Sequence, residues 1–132
     1  MDNMIPLLAI FSEWALLILR VVFGLIFVAH GWPKLRNLKG ASENFNMMGF
    51  KPGALWGTIV AIVETFGGLA IILGIATEIA AILLAFDMVV ATIWKISRGQ
   101  KLVGGFEFEI LLITVGLALA TLGGGVYSLY VL

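Results

Sequence analysis

Ala61-Ile62-Val63-Glu64-Thr65-Phe66-Gly67-Gly68 sets a carboxylate near the middle of an apolar run that extends from Leu55 to Ile75. Thr65 is its only polar neighbour close in sequence. If the run spans a membrane, an ionised group at its centre costs about 2.5–3.5 kcal/mol on insertion scales. Such a residue calls for a partner elsewhere in the chain.

Composition settles the solvent. Of the 132 residues, 61% are apolar and 12% charged, against about 45–50% and about 25% in a soluble domain. Too few polar residues remain to cover a water-exposed surface. Eight basic and eight acidic residues give zero net charge, which argues against a nucleic-acid ligand. There is no cysteine and one histidine, His30. Thiol chemistry is excluded, and a metal or haem site within this chain is not expected.

Working outward from Glu64, three more runs approach the roughly 20 apolar residues of a spanning helix. The spans are expected at approximately 12–32, 54–75, 78–95 and 106–122. The first lacks a basic leader and a cleavage site, so it is expected to stay as a membrane helix. Pro6 suits a first helical turn, and Ser12 and Thr77 are candidate N-caps. Pro33 is expected to end or kink the first span at Trp32. Residues 34–53 read as an interfacial loop with a short amphipathic helix near Ala41–Met48. The fold class is all-α, a four-helix transmembrane bundle forming one domain over residues 1–132.

Charge gives an orientation. The loop between spans one and two carries Lys34, Arg36, Lys39 and Lys51; that between spans three and four carries Lys95, Arg98 and Lys101. The tails and the Thr77-Glu78 turn carry no lysine or arginine. The positive-inside rule puts the long loops in the cytoplasm and both termini outside, in a multi-pass protein of the cell membrane. Trp32, Trp56 and Trp94 then lie at the inner interface, with Trp14, Tyr127 and Tyr130 at the outer one.

Spacing suggests the partner for Glu64. Glu13, Arg20, Gly24, Phe27, Gly31 and Lys34 share one face of the first helix, and Gly57, Ala61, Glu64, Gly68, Ile71 and Ile75 one face of the second. Small residues on both let the backbones approach closely. An Arg20–Glu64 ion pair is expected, with the long arginine covering an axial offset. Asp87, mid-span on the third helix, is expected to face the same interior. One positive and two negative groups leave a surplus carboxyl, which calls for a proton or another donor. Glu107 and Glu109 open the fourth span on nearly opposite sides, and periodicity does not choose between them.

The pattern resembles the DoxX family of small four-helix membrane proteins. The resemblance runs from about Leu17 to Leu129. It rests on Arg20 and Gly24, His30-Gly31-x-x-Lys34-Leu35, Phe45 with Gly49 and Pro52, Glu64-x-x-Gly67-Gly68-Leu69, Gly74 and Thr77, Ala91, Gly104-Gly105-Phe106-Glu107, and Gly124 with Ser128-Leu129. Glu78, the Lys95–Lys101 loop and Tyr130 depart from the pattern, and the redox cysteines of distant relatives are missing. The resemblance implies that Glu107, rather than Glu109, is the family's carboxylate. It also implies redox membrane proteins, one branch resembling the membrane subunit of thiosulfate:quinone oxidoreductase. The first expectation is therefore a quinone-linked subunit. Arg20, Glu64 and Asp87 would carry the chemistry, and Arg20, His30, Lys34, Glu64 and Glu107 would hold the head group. Quinone is the expected cofactor; the bilayer and a protein subunit or second copy are the expected partners. The alternative is a non-catalytic accessory subunit whose ion pair only fixes helix register. A small transporter is disfavoured by the lack of an inverted repeat.

Overall fold

The computed structural model describes residues 7–129. The readings for Pro6 and Tyr130 fall outside them. A 3₁₀ turn, Leu7–Phe11, leads into α1 (Ser12–Leu35), followed by α2 (Leu38–Met48), α3 (Gly53–Leu73), α4 (Thr77–Ser97) and α5 (Glu107–Leu122). No strand occurs among the described residues. Four helical segments, Leu7–Leu35, Gly53–Leu73, Thr77–Ser97 and Leu102–Leu122, are long and apolar enough to cross a membrane. Their outward faces are apolar, with Val22, Ile62, Phe66, Ile82 and Phe86 among the exposed residues. This is an integral, multi-pass, all-α membrane bundle.

The α1–α3 pair forms the tightest seam. Its buried residues include Arg20, Gly24, Phe27 and Gly31 on one side and Ala61, Glu64, Gly68 and Ile71 on the other. A Cβ placed on Gly24 would lie 2.5 Å from the Gly68 carbonyl oxygen, and one on Gly31 would lie 2.5 Å from the Thr65 amide nitrogen. The two backbones touch, which is what small residues at these positions permit. α4 packs on α3 and more extensively on α5, whereas α1 and α5 meet mainly through side chains. Phe23 and Phe27 fill the space there, together with Leu84, Leu112 and Leu119.

α2 is the short helix expected near Ala41–Met48 in the first long loop, beginning at Leu38. Asn37 caps it, accepting from the Gly40 amide at 3.1 Å, and Gly49 ends it with φ at +98°. Ala41 packs on Gly57 of α3. Trp94 of α4 donates from Nε1 to the Met48 carbonyl at 2.9 Å, which ties the end of α2 to the end of α4. The two long loops therefore share one end of the bundle.

Several local expectations change. Helix α1 runs past Pro33 to Leu35. A proline in the last turn forfeits a single backbone bond, and the continuation keeps Lys34 on the helical face. Ser12 follows an existing 3₁₀ turn and makes no capping bond. Thr77 is the first residue of α4, behind Ala76 with φ at +48°, and its hydroxyl has no partner.

At the opposite end, the segment after α5 folds back over α1 and α3. Gly123 and Gly125 adopt φ values of +75° and +80°, which glycine reaches without strain. Val126 donates its amide to Glu13 Oε1 at 2.8 Å, and Leu129 donates to the Leu73 carbonyl at 3.1 Å. Trp14 stacks on Tyr127 at 4.7 Å between centroids. Both described ends of the chain thus lie at this end.

Candidate functional site

Glu64 is buried, with 3% exposure. Its partner is Lys34, whose Nζ lies 2.5 Å from Glu64 Oε1. The expected Arg20–Glu64 pair does not form. The antiparallel register sets Gly24 against Gly68 and Gly31 against Glu64 and Thr65. Gly31 is 11 residues beyond Arg20, roughly 16 Å at about 1.5 Å per residue, which is more than an arginine side chain spans. Lys34 lies one turn from Gly31 on the same face and is the cation within reach.

Arg20 does other work. It is 1% exposed and donates to three backbone carbonyls: Nε to Ile71 at 3.0 Å, Nη2 to Ile72 at 2.9 Å and Nη1 to Gly124 at 2.9 Å. Two of these belong to the last turn of α3, where the negative end of the helix dipole lies, and Ile71 also accepts from the Gly74 amide at 3.2 Å. A planar, permanently charged fork suits that position. Arg20 fastens the end of α3 to the C-terminal segment and belongs to the fold, away from Glu64.

Asp87, on α4, lines the same cavity as Glu64 and Lys34, and its Oδ2 is buried with no donor. The choice on α5 is reversed. Glu109 is 9% exposed and binds Lys95 Nζ through Oε2 at 2.8 Å, while its Oε1 is buried without a partner. Lys95 also donates to the Gly105 carbonyl at 3.1 Å. Glu107 is exposed and accepts from the Gly104 amide at 3.2 Å within its own turn. That turn, Leu102–Phe106, contains Gly104 at φ +76° and sets the rotation of α5. Residues two apart on a helix lie on nearly opposite sides, so turning Glu109 inward turns Glu107 out.

These groups border one cavity of about 650 Å³ at the end of the bundle that carries the long loops. All five helices contribute to it. Phe27, Phe45, Phe50, Trp56, Phe86 and Phe108 make its walls largely aromatic. Lys34, Glu64, Asp87 and Glu109 supply its polar side. His30 is exposed on α1 and stands at the cavity with its ring 6.2 Å from that of Phe108. Apolar walls with a few convergent polar groups, at a volume within about 300–1,000 Å³, are the usual form of a small-molecule site. Of the sequence-derived site residues, Lys34, Glu64, Asp87 and His30 come together here; Arg20 and Glu107 do not. Glu109 joins them, held by Lys95.

Fold and site define a class: a small multi-pass membrane protein whose bundle encloses an aromatic-walled cavity with an ionic cluster on one side. The chain belongs to the DoxX family, whose model, described as DoxX, matches residues 15–96. It is 31% identical to the Bacillus subtilis (strain 168) protein named "Putative oxidoreductase CatD", over 84% of this chain and 81% of that one. It is 29% identical to "Inner membrane protein YqjF" of Escherichia coli (strain K12), over 89% of this chain and 91% of that one. No solved structure matches the chain.

Proposed function

We propose that this chain is a quinone-linked redox membrane protein that holds a quinone head group in the cavity beside Lys34, Glu64 and Asp87. The observation that carries this reading is the junction of aromatic walls with buried, incompletely satisfied carboxyls. The residues suit such a group. Phenylalanine and tryptophan faces accommodate a flat ring. Lys34 Nζ retains donor capacity beyond its bond to Glu64. Asp87 Oδ2 and Glu109 Oε1 lack donors, and two carboxyls side by side do not readily both ionise. Glu64 and Asp87 can therefore hold a proton between them and exchange it with a bound group. A quinone supplies two-electron, two-proton chemistry when bound.

The name of the Bacillus relative points to redox chemistry in that protein, which agrees with this reading. With no cysteine and a single histidine in the chain, we assign the electron donor to a partner subunit, or to a partner docked on a homo-oligomer. The four and three basic residues of the long loops assign the cavity end to the cytoplasm and both termini to the outside. The second reading, an accessory subunit, draws on Arg20, whose three bonds are all structural.

Quenching of tryptophan fluorescence in nanodiscs provides the test, because Trp56 borders the cavity. Wild type is expected to bind a quinone saturably, and Glu64→Gln to bind about tenfold or more weakly, the loss of one charge-assisted interaction. Equal binding by a monodisperse Glu64→Gln protein would remove Glu64 from the site and favour the accessory reading. Absence of saturable binding by wild type would sink the proposal.

A further inference from the structure

The cavity has a side wall that faces the bilayer. On α3, Trp56, Ile59, Val60 and Val63 line it; on α4, Leu83, Phe86, Asp87 and Val90 do. Each set follows a three–four spacing and makes one stripe along its helix. The stripes are also partly outward. Trp56 is 44% exposed, Ile59 41%, Leu83 50% and Phe86 68%. A residue that both lines a cavity and is half exposed stands at its mouth. The helices are joined by a short turn at the far end of the bundle, between Leu73 and Thr77. Close packing there, where Leu84 meets Gly67, gives way to the cavity toward the long loops.

We infer that the space between α3 and α4 is a lateral portal, through which an amphipathic, tail-bearing ligand dissolved in the bilayer reaches Glu64 and Asp87. The inference rests on the quinone-site reading and adds to it the route and the ligand class. The mouth residues named above are apolar apart from the indole nitrogen of Trp56, so they cannot stabilise a polar ligand arriving from water. They do match an alkyl or isoprenoid chain. Asp87 sits on the α4 stripe itself, between Phe86 and the interior, so one helix face carries the ligand from lipid contact to the ionic cluster. A ligand seated there keeps its head group against the carboxyls and its tail in the groove.

The chain has no cysteine, so thiols can be placed without background. The variant Ile59→Cys/Phe86→Cys is put into nanodiscs and bridged across the portal with a reducible bis-methanethiosulfonate reagent. The probe is a tetrasubstituted benzoquinone with a decyl chain, which leaves no ring position open to thiol addition. Its association rate, read from tryptophan quenching, is expected to fall about tenfold or more on bridging. It should return after reduction and desalting, and neither single variant, given the same reagent, should lose rate relative to its own untreated form. A bridged protein that binds at the unbridged rate overturns the portal. So does wild-type protein that binds a short, water-soluble quinone but not the decyl form; in that case the quinone site stands and only the route fails. Wild type that binds neither form overturns both readings. Because wild type with the two probes already separates these outcomes, the inference stays testable even if the double variant does not fold.

Discussion

Arg20→Ala is expected to destabilise the bundle by at least about 4 kcal/mol, on the basis of three charge-assisted hydrogen bonds at roughly 1.5–3 kcal/mol each. The carbonyls of Ile72 and Gly124 lose their donor and Ile71 keeps only the Gly74 amide, in surroundings with little water to replace the guanidinium. Typical total stability is about 5–15 kcal/mol, so the variant should unfold well below wild type in a detergent melt or fail to accumulate. Arg20→Lys should recover part of the loss, because an ammonium cannot reach three carbonyls in one plane. Reversing the charges at Arg20 and Glu64 together should not restore stability. Recovery by that reversal would show the two residues to be a pair after all.

Gly24→Leu should be nearly as damaging, for a different reason. The space beside Gly24 is occupied by the Gly68 carbonyl oxygen and by Ile72 Cγ1, each 2.5 Å from where a Cβ would stand. A backbone oxygen cannot rotate away, so α1 and α3 must separate. Overpacking of this kind costs about 1–3 kcal/mol, occasionally more, and separation also opens the Lys34–Glu64 contact. Gly57→Ala, on α3, is the control. Its nearest neighbour, the Ala41 carbonyl carbon, lies at 3.3 Å, and the gain in helix propensity of about 1 kcal/mol offsets the tight contact. Melting temperatures of the two variants should differ clearly, with Gly57→Ala close to wild type. A loss in Gly24→Leu no larger than that in Gly57→Ala would mean that the α1–α3 seam is looser than Gly24 and Gly68 indicate.

The spans, their order and the small-residue seam were legible because each rests on periodicity and composition. Gly24, Gly31, Gly57 and Gly68 mark a close helix contact from spacing alone; the structure places Gly24, Gly31 and Gly68 at the α1–α3 contact and Gly57 against Ala41 of α2. The register was harder. Setting the glycines of α1 opposite those of α3 would have put Lys34, not Arg20, beside Glu64; the reach assigned to the arginine hid this. The true partners of Arg20 left no trace in the sequence, because they are main-chain carbonyls, which every residue carries. Periodicity leaves Glu107 and Glu109 open and the resemblance favours Glu107; the orientation depends on a turn with one left-handed glycine, Gly104, whose conformation no side-chain pattern announces. Lys95, at the end of α4, was the available clue: a cation there needs an acceptor, and Glu109 supplies it at 2.8 Å. The cavity was legible only as a surplus of carboxyls. Its aromatic walls come from all five helices and converge only in three dimensions.

Photolabelling in proteoliposomes with an azido-quinone, followed by peptide mapping, would locate any quinone relative to Lys34, Glu64 and Asp87. Adducts are expected on the stretches of α3 and α4 that flank Glu64 and Asp87. They should be displaced by excess unlabelled quinone and be much reduced in Glu64→Gln. Displaceable labelling at the opposite end of the bundle around Arg20, or labelling indifferent both to competitor and to Glu64, would contradict the assignment of the site.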